Sequence, residues 1–184
     1  MTRQLIQKII GVTGILTGFA TIFSCEPDDI CEPDNAPAVS VKMFYIDTNV
    51  ELEDTIFYKA YINDSVLIGE GNSNNKSTFN LPIQIAENRS IKYILQQGSD
   101  YKINQLIDGE YVKVDKIAPK DTLEIKYLID NKFSSKACGF GIYYKDASFS
   151  LLSNNWIKNI ETVNNNIDNA TTTNLHIFAE PRSY

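Results

Sequence analysis

The residues of this chain best suited to covalent chemistry are its three cysteines, Cys25, Cys31 and Cys138. A thiol can carry a lipid, form a disulfide or bind a metal. Structural zinc takes four nitrogen or sulfur ligands, and His176 is the only histidine of the chain. We therefore expect no metal site and no cofactor.

Cys25 follows a segment with the features of a bacterial secretory signal. Arg3 and Lys8 place positive charge ahead of a mostly apolar run over residues 9–23. The run is about 15 residues long, which is short for a helix that spans a bilayer. An anchor that is never cleaved is the alternative to a signal peptide.

The end of this segment resembles the signal of lipoproteins, in which the cysteine becomes the lipidated first residue of the mature chain. Ile22 and Ser24 fit the usual pattern before the cysteine, and Phe23 departs from it. We expect residues 1–24 to be a lipoprotein signal peptide. Acyl chains on Cys25 would then hold the protein at the membrane.

Export would leave Cys31 and Cys138 as an even pair in an oxidising compartment, which favours a disulfide. Such a bond closes a long loop, worth roughly 4–5 kcal/mol in the chain-entropy model. Two unpaired thiols are the alternative.

Residues 25–37 are rich in proline and in carboxylates, which predicts an extended tether. The carboxylates could suggest a cation site, but a solvated linker accounts for them. An acidic stretch after the lipid cysteine also resembles the surface-export signal of Bacteroidota lipoproteins. We therefore expect the protein at the outer membrane, on its periplasmic or its outer face.

The charge of the chain limits its partners. The formal net charge is −6, and cleavage of the signal would remove Arg3 and Lys8. A negative domain repels nucleic acid and anionic lipid headgroups. We expect no nucleic-acid partner, and contact with the membrane only through the lipid on Cys25.

The chain after the tether shows the period-2 alternation of strands, as in Leu123, Ile125 and Tyr127. Asp108-Gly109 between two alternating runs predicts a tight hairpin. Residues 153–163 fit either a strand or a short helix. Short strands at roughly 8–12-residue spacing predict one all-β domain over residues 38–184, an antiparallel immunoglobulin-like sandwich of about seven to nine strands.

Catalytic constellations are weak in this sequence. His176 is the sole candidate imidazole base, and its apolar neighbours place it on the solvent face of a strand. Asp108 and Glu110 flank a turn glycine, which explains them without glycosidase chemistry. We expect that the protein is not an enzyme.

Aromatic residues suggest a binding surface instead, because ten tyrosines and nine phenylalanines accompany one tryptophan. Strands favour aromatic residues in any case, and Trp156 fits the core better than a sugar platform. The decisive feature would be whether exposed rings cluster in one concave patch.

Three short motifs resemble the acceptor sites of Bacteroidota O-glycosylation, in which an apolar residue follows Asp-Ser or Asp-Thr. They would make Thr55, Ser65 and Thr122 the modified residues. Ordinary turns and strand starts are the alternative reading.

A wider resemblance rests on the order of several motifs: Cys25 with Asp28-Asp29-Ile30-Cys31, then Val41-Lys42-Met43-Phe44-Tyr45, Ala137-Cys138-Gly139-Phe140 and Asn154-Asn155-Trp156-Ile157-Lys158-Asn159-Ile160-Glu161. This order is similar to an uncharacterised lipoprotein family of the Bacteroidota, a domain of unknown function. The resemblance implies an anchored all-β domain and no known activity.

We expect a lipid-anchored envelope protein that serves as a non-enzymatic binding or scaffolding module, with an envelope protein as partner. The alternative is a glycan-binding accessory lipoprotein of a surface uptake system.

Overall fold

The structure is a computed structural model that describes residues 37–46, 48–86, 89–135, 139–168 and 172–182. These ranges contain no helix and eleven strands. The strands are β1 Ala38–Tyr45, β2 Ile56–Ile62, β3 Val66–Asn72, β4 Thr78–Pro82, β5 Ser90–Gln97, β6 Tyr101–Ile107, β7 Glu110–Lys116, β8 Lys120–Ser135, β9 Gly139–Leu151, β10 Ile157–Thr162 and β11 Thr173–Ala179.

Nine strands build two sheets. One has the order β10-β11-β1-β4, the other β3-β2-β5-β8-β9, and β6 with β7 forms a separate hairpin. Fully buried side chains of both larger sheets, such as Met43 and Leu95, belong to a single apolar cluster. The predicted all-β sandwich is therefore confirmed, and the hairpin brings its strands to eleven.

The first and last strands pair in parallel, with Val41 opposite Leu175 and Met43 opposite Ile177. The predicted antiparallel pairing holds for the other pairs whose register is defined. Parallel neighbours need a long connection. Here nearly the whole domain lies between the two strands.

Local patterns explain most of the strands. In β8, Leu123, Ile125 and Tyr127 are buried, as the alternation predicts. Asp108 and Gly109 have φ angles of 52° and 88°, so both adopt the left-handed conformation that a tight β-hairpin requires. The ambiguous segment 153–163 contains β10, which settles it as a strand.

The signal segment and nearly all of the tether precede the described residues. Cys25, Cys31 and Cys138 also lie outside the described ranges, so their lipidation and pairing stay predictions. The described residues between 37 and 133 and between 140 and 182 form one unit by their mutual contacts. In the described part of the chain, no helix is long and apolar enough to cross a bilayer.

Candidate binding groove

The outer face of the five-stranded sheet carries an open groove of about 650 Å³. The alternation of β2 creates its floor, because Ile56 and Ala60 enter the core while Phe57, Lys59 and Tyr61 point away from it. One strand thus supplies two aromatic rings and an ammonium group to the groove.

Register aligns the other groove residues in rows across the sheet. Phe57 lies opposite Asn72 of β3 and Gln96 of β5, and Gln96 in turn lies opposite Lys120 of β8. This row therefore places an amide on each side of the Phe57 position and a lysine beyond Gln96. A second row contains Glu70, Lys59, Ile94 and Thr122.

The charges of the groove are loosely held. Lys59 Nζ lies 3.7 Å from Glu70 Oε2, and both side chains are more than half exposed. Among described residues Lys120 forms no ion pair, although its carbonyl accepts a hydrogen bond of 2.7 Å from Asn155 Nδ2. Gln96 Nε2 donates to the carbonyl of Gly98 at 2.8 Å, which orients the amide.

Next to Tyr61, the outer face of the sheet carries an ion pair between Lys92 and Asp64. Lys92, opposite Tyr61 on β5, lies 2.7 Å from Asp64. The hydrogen bond with Asp64 raises the pKa of the Lys92 ammonium, although partial burial opposes the shift. Lys92 is therefore less available to a ligand than Lys120.

Tyr58 packs against the core and also borders the groove beside Gly71. The Tyr58 hydroxyl lies across Gly71 of the edge strand β3, and a Cβ at position 71 would come within 2.6 Å of that oxygen. Any side chain there would displace Tyr58. The Phe-Tyr-Lys-Ala-Tyr run in β2 is the sequence signal of this groove, but the run alone does not identify the strands that complete it.

Exposed aromatic residues also occur elsewhere. Tyr111 of β7 is 78% exposed, and Phe133 and Phe140 form an edge-to-face pair with centroids 5.6 Å apart. The rings therefore do not all gather in one patch. Phe57 and Tyr61 line the groove.

His176 lies on the outer face of the four-stranded sheet, away from the groove residues of the other sheet. The ring centroids of His176 and Phe44 are 4.8 Å apart in an edge-to-face arrangement. His176 Nδ1 is 3.7 Å from a Glu161 carboxylate oxygen. The expected strand position is correct, but Phe44 and Phe178 cover part of the ring. No cluster of metal-ligating side chains occurs within the described residues.

The three predicted modification residues differ in exposure. Ser65 is exposed in the turn between β2 and β3, where its hydroxyl donates to the Asn63 carbonyl at 3.2 Å. Thr55 and Thr122 are half-buried.

The aspartates that precede these two threonines have structural partners. Asp54 pairs with Arg182. The Asp121 carboxylate accepts three hydrogen bonds from the loop before β10 and a fourth from Ile157, the first residue of β10. The sequence does not reveal either role, because each partner lies far away in the chain.

Trp156 is buried in the core as predicted, with 2% of its surface exposed. Its indole Nε1 donates to the Leu95 carbonyl at 3.1 Å. This bond satisfies the one polar atom of the ring. Trp156 is therefore a core residue.

These features define an all-β sandwich with an open aromatic and polar groove on one sheet. The chain belongs to DUF6452, a family of unknown function, which matches residues 55–179. The match begins just before β2 and ends with β11, so it includes every groove residue. No curated protein and no solved structure matches the chain.

Proposed function

We propose that this protein is a lipid-anchored, non-enzymatic binding module of the bacterial envelope, and that its ligand is a saccharide. Acyl chains on Cys25 attach it to the outer membrane, as in lipoproteins of the Bacteroidota. The signal-like segment before Cys25 and the acidic tether support this placement.

The groove carries the functional part of the proposal. A sugar ring has an apolar C–H face that packs on an aromatic side chain and a rim of hydroxyl groups that need hydrogen-bond partners. Phe57 and Tyr61 supply the apolar contacts, while Asn72 and Gln96 supply amide donors and acceptors. Apolar walls with a few oriented polar groups are typical of ligand sites.

A protein partner is the second candidate, favoured by the β6–β7 hairpin. Leu106, Tyr111 and Val112 near its tip are each more than 40% exposed. Exposed apolar side chains grouped in this way are typical of protein contacts.

The proposal is tested by screening the purified domain on a glycan array and measuring the affinity of hits by calorimetry. We expect Phe57→Ala and Tyr61→Ala each to weaken binding by about tenfold, which corresponds to about 1.4 kcal/mol. Tyr111→Ala, an aromatic truncation outside the groove, is the matched control and should bind as wild type does. Full affinity in both groove variants, or no signal on the array, would refute the saccharide site.

The anchor is tested separately by membrane fractionation of the full chain with Cys25→Ala. We expect this variant to leave the membrane fraction, because it lacks the acylated sulfur. Retention as firm as that of wild type would contradict lipid anchoring. The groove measurements would stand independently of that result.

A further inference from the structure

The groove is positively charged within an acidic chain. Lys59 and Lys120 line it with a single carboxylate, Glu70, whereas the whole chain has a formal net charge of −6. The local sign of charge is therefore opposite to that of the molecule. A cleft whose charged side chains are mainly positive attracts anions.

Both lysines can reach a ligand at little cost. Lys120 has no competing ion pair among the described residues. The Lys59–Glu70 pair is exposed and separated by 3.7 Å, and exposed pairs of this kind contribute little. A ligand carboxylate can therefore replace Glu70 as the partner of Lys59.

The order of residues in the row that contains Phe57 places the charge of Lys120 at one end. Lys120 follows Gln96 and Phe57 across neighbouring strands. A sugar ring on Phe57 would direct its hydroxyl groups at Gln96 and a ring substituent towards Lys120. A carboxylate is an acceptor that forms a charge-assisted hydrogen bond with an ammonium group.

We infer that the groove selects saccharides that carry carboxylates, such as uronic acids, and that Lys59 and Lys120 determine this specificity. The inference rests on the proposed saccharide site. In this arrangement the aromatic residues provide affinity for the sugar ring, and the lysines discriminate between acidic and neutral sugars.

The test compares trigalacturonic acid with its carboxyl-reduced form, which has the same rings without the charges. We expect wild type to bind the acidic form at least tenfold more tightly. Lys120→Gln and Lys59→Gln should each weaken binding of the acidic form several-fold more than binding of the reduced form. Raising NaCl from about 20 mM to about 500 mM should weaken binding of the acidic form alone.

Lys102→Gln on the β6–β7 hairpin removes an exposed lysine outside the groove and is the matched control. If wild type binds the two sugars with equal affinity and Phe57→Ala weakens binding of both, the inference is overturned and the saccharide site remains. Binding of neither sugar, together with an empty glycan array, would overturn both. Circular dichroism of each variant establishes that it is folded.

Discussion

The Asp121 carboxylate accepts the backbone N–H of Trp156 at 2.8 Å, and it is itself only 1% exposed. It also accepts the N–H of Ile157 at 2.8 Å, the N–H of Asn155 at 2.7 Å and the hydroxyl of Ser153 at 2.8 Å. Four donors satisfy one buried charge. The carboxylate thus joins the start of β8 to the loop that delivers Trp156 to the core.

Asp121→Asn should lower the free energy of unfolding by about 2–4 kcal/mol. The NH2 group that replaces one carboxylate oxygen cannot accept a hydrogen bond, so one pair of the four donors loses its acceptor. Urea denaturation of the purified domain measures the loss.

Asp115→Asn is the control for that substitution, because Asp115 lies on the hairpin with 78% of its side chain exposed. It should change stability by no more than about 0.5 kcal/mol. Equal stability of Asp121→Asn and wild type would show that the loop donors find other acceptors.

The Asp54–Arg182 pair ties the end of the chain to the loop before β2. Both side chains are largely buried, at 12% and 17% exposure, and the guanidinium packs over Gly98. Arg182→Met should cost about 2–3 kcal/mol, because it leaves the largely buried Asp54 carboxylate without its ion-pair partner, although the Thr55 N–H still donates to it.

The double variant Asp54→Asn/Arg182→Met tests whether that cost comes from the unpaired charge. We expect it to be more stable than Arg182→Met alone, since no carboxylate is then stranded. Additive losses in a double-mutant cycle would mean that the two residues act independently.

Buried tyrosines predict a loss of stability at alkaline pH. Burial, and to a lesser degree the neighbouring Tyr127 and Tyr144, raises the pKa of Tyr93 well above its ordinary value of 10. Below pH 10 Tyr93 is protonated in both states. Above it the unfolded chain releases a proton that the folded chain retains, so stability falls with pH by up to about 1.4 kcal/mol per unit.

Urea unfolding at several pH values between about 9 and 11 measures this slope. Tyr93→Phe should flatten it by about one proton, although it also removes the 2.6 Å hydrogen bond to the Pro82 carbonyl. Tyr111→Phe, at an exposed tyrosine, is the control for this substitution. An equal slope in Tyr93→Phe and wild type would contradict the assignment to Tyr93.

Exposure ranks the three proposed O-glycosylation sites. Asp64 and Ser65 are exposed in the β2–β3 turn, where Asp64 pairs with Lys92, whereas Asp54 and Asp121 are buried. If a glycosyltransferase modifies the folded protein, Ser65→Ala should remove most of the added mass. Intact-mass spectrometry of native protein measures this, with Thr122→Ala as the control. Added mass that persists in Ser65→Ala and disappears in Thr122→Ala would reverse the ranking.

Local signals in the sequence were sufficient for the strands and several turns. The alternation at Leu123, Ile125 and Tyr127 is a property of neighbouring residues, since each second side chain must enter the core. The same holds for Asp108-Gly109, because a tight hairpin turn needs two residues that tolerate positive φ. The buried position of Trp156 also followed from its chemical type.

Only the tertiary structure decided which strands pair and what faces the groove. The parallel pairing of β1 with β11 joins residues more than 130 positions apart, and no local pattern encodes it. In the sequence, Asp121 resembles the first residue of an O-glycosylation acceptor motif. In the folded protein, its carboxylate accepts hydrogen bonds from residues between Ser153 and Ile157. Phe57, Gln96 and Lys120 become neighbours through the registers of three strands, because cross-strand contacts depend on sheet order rather than on distance along the chain.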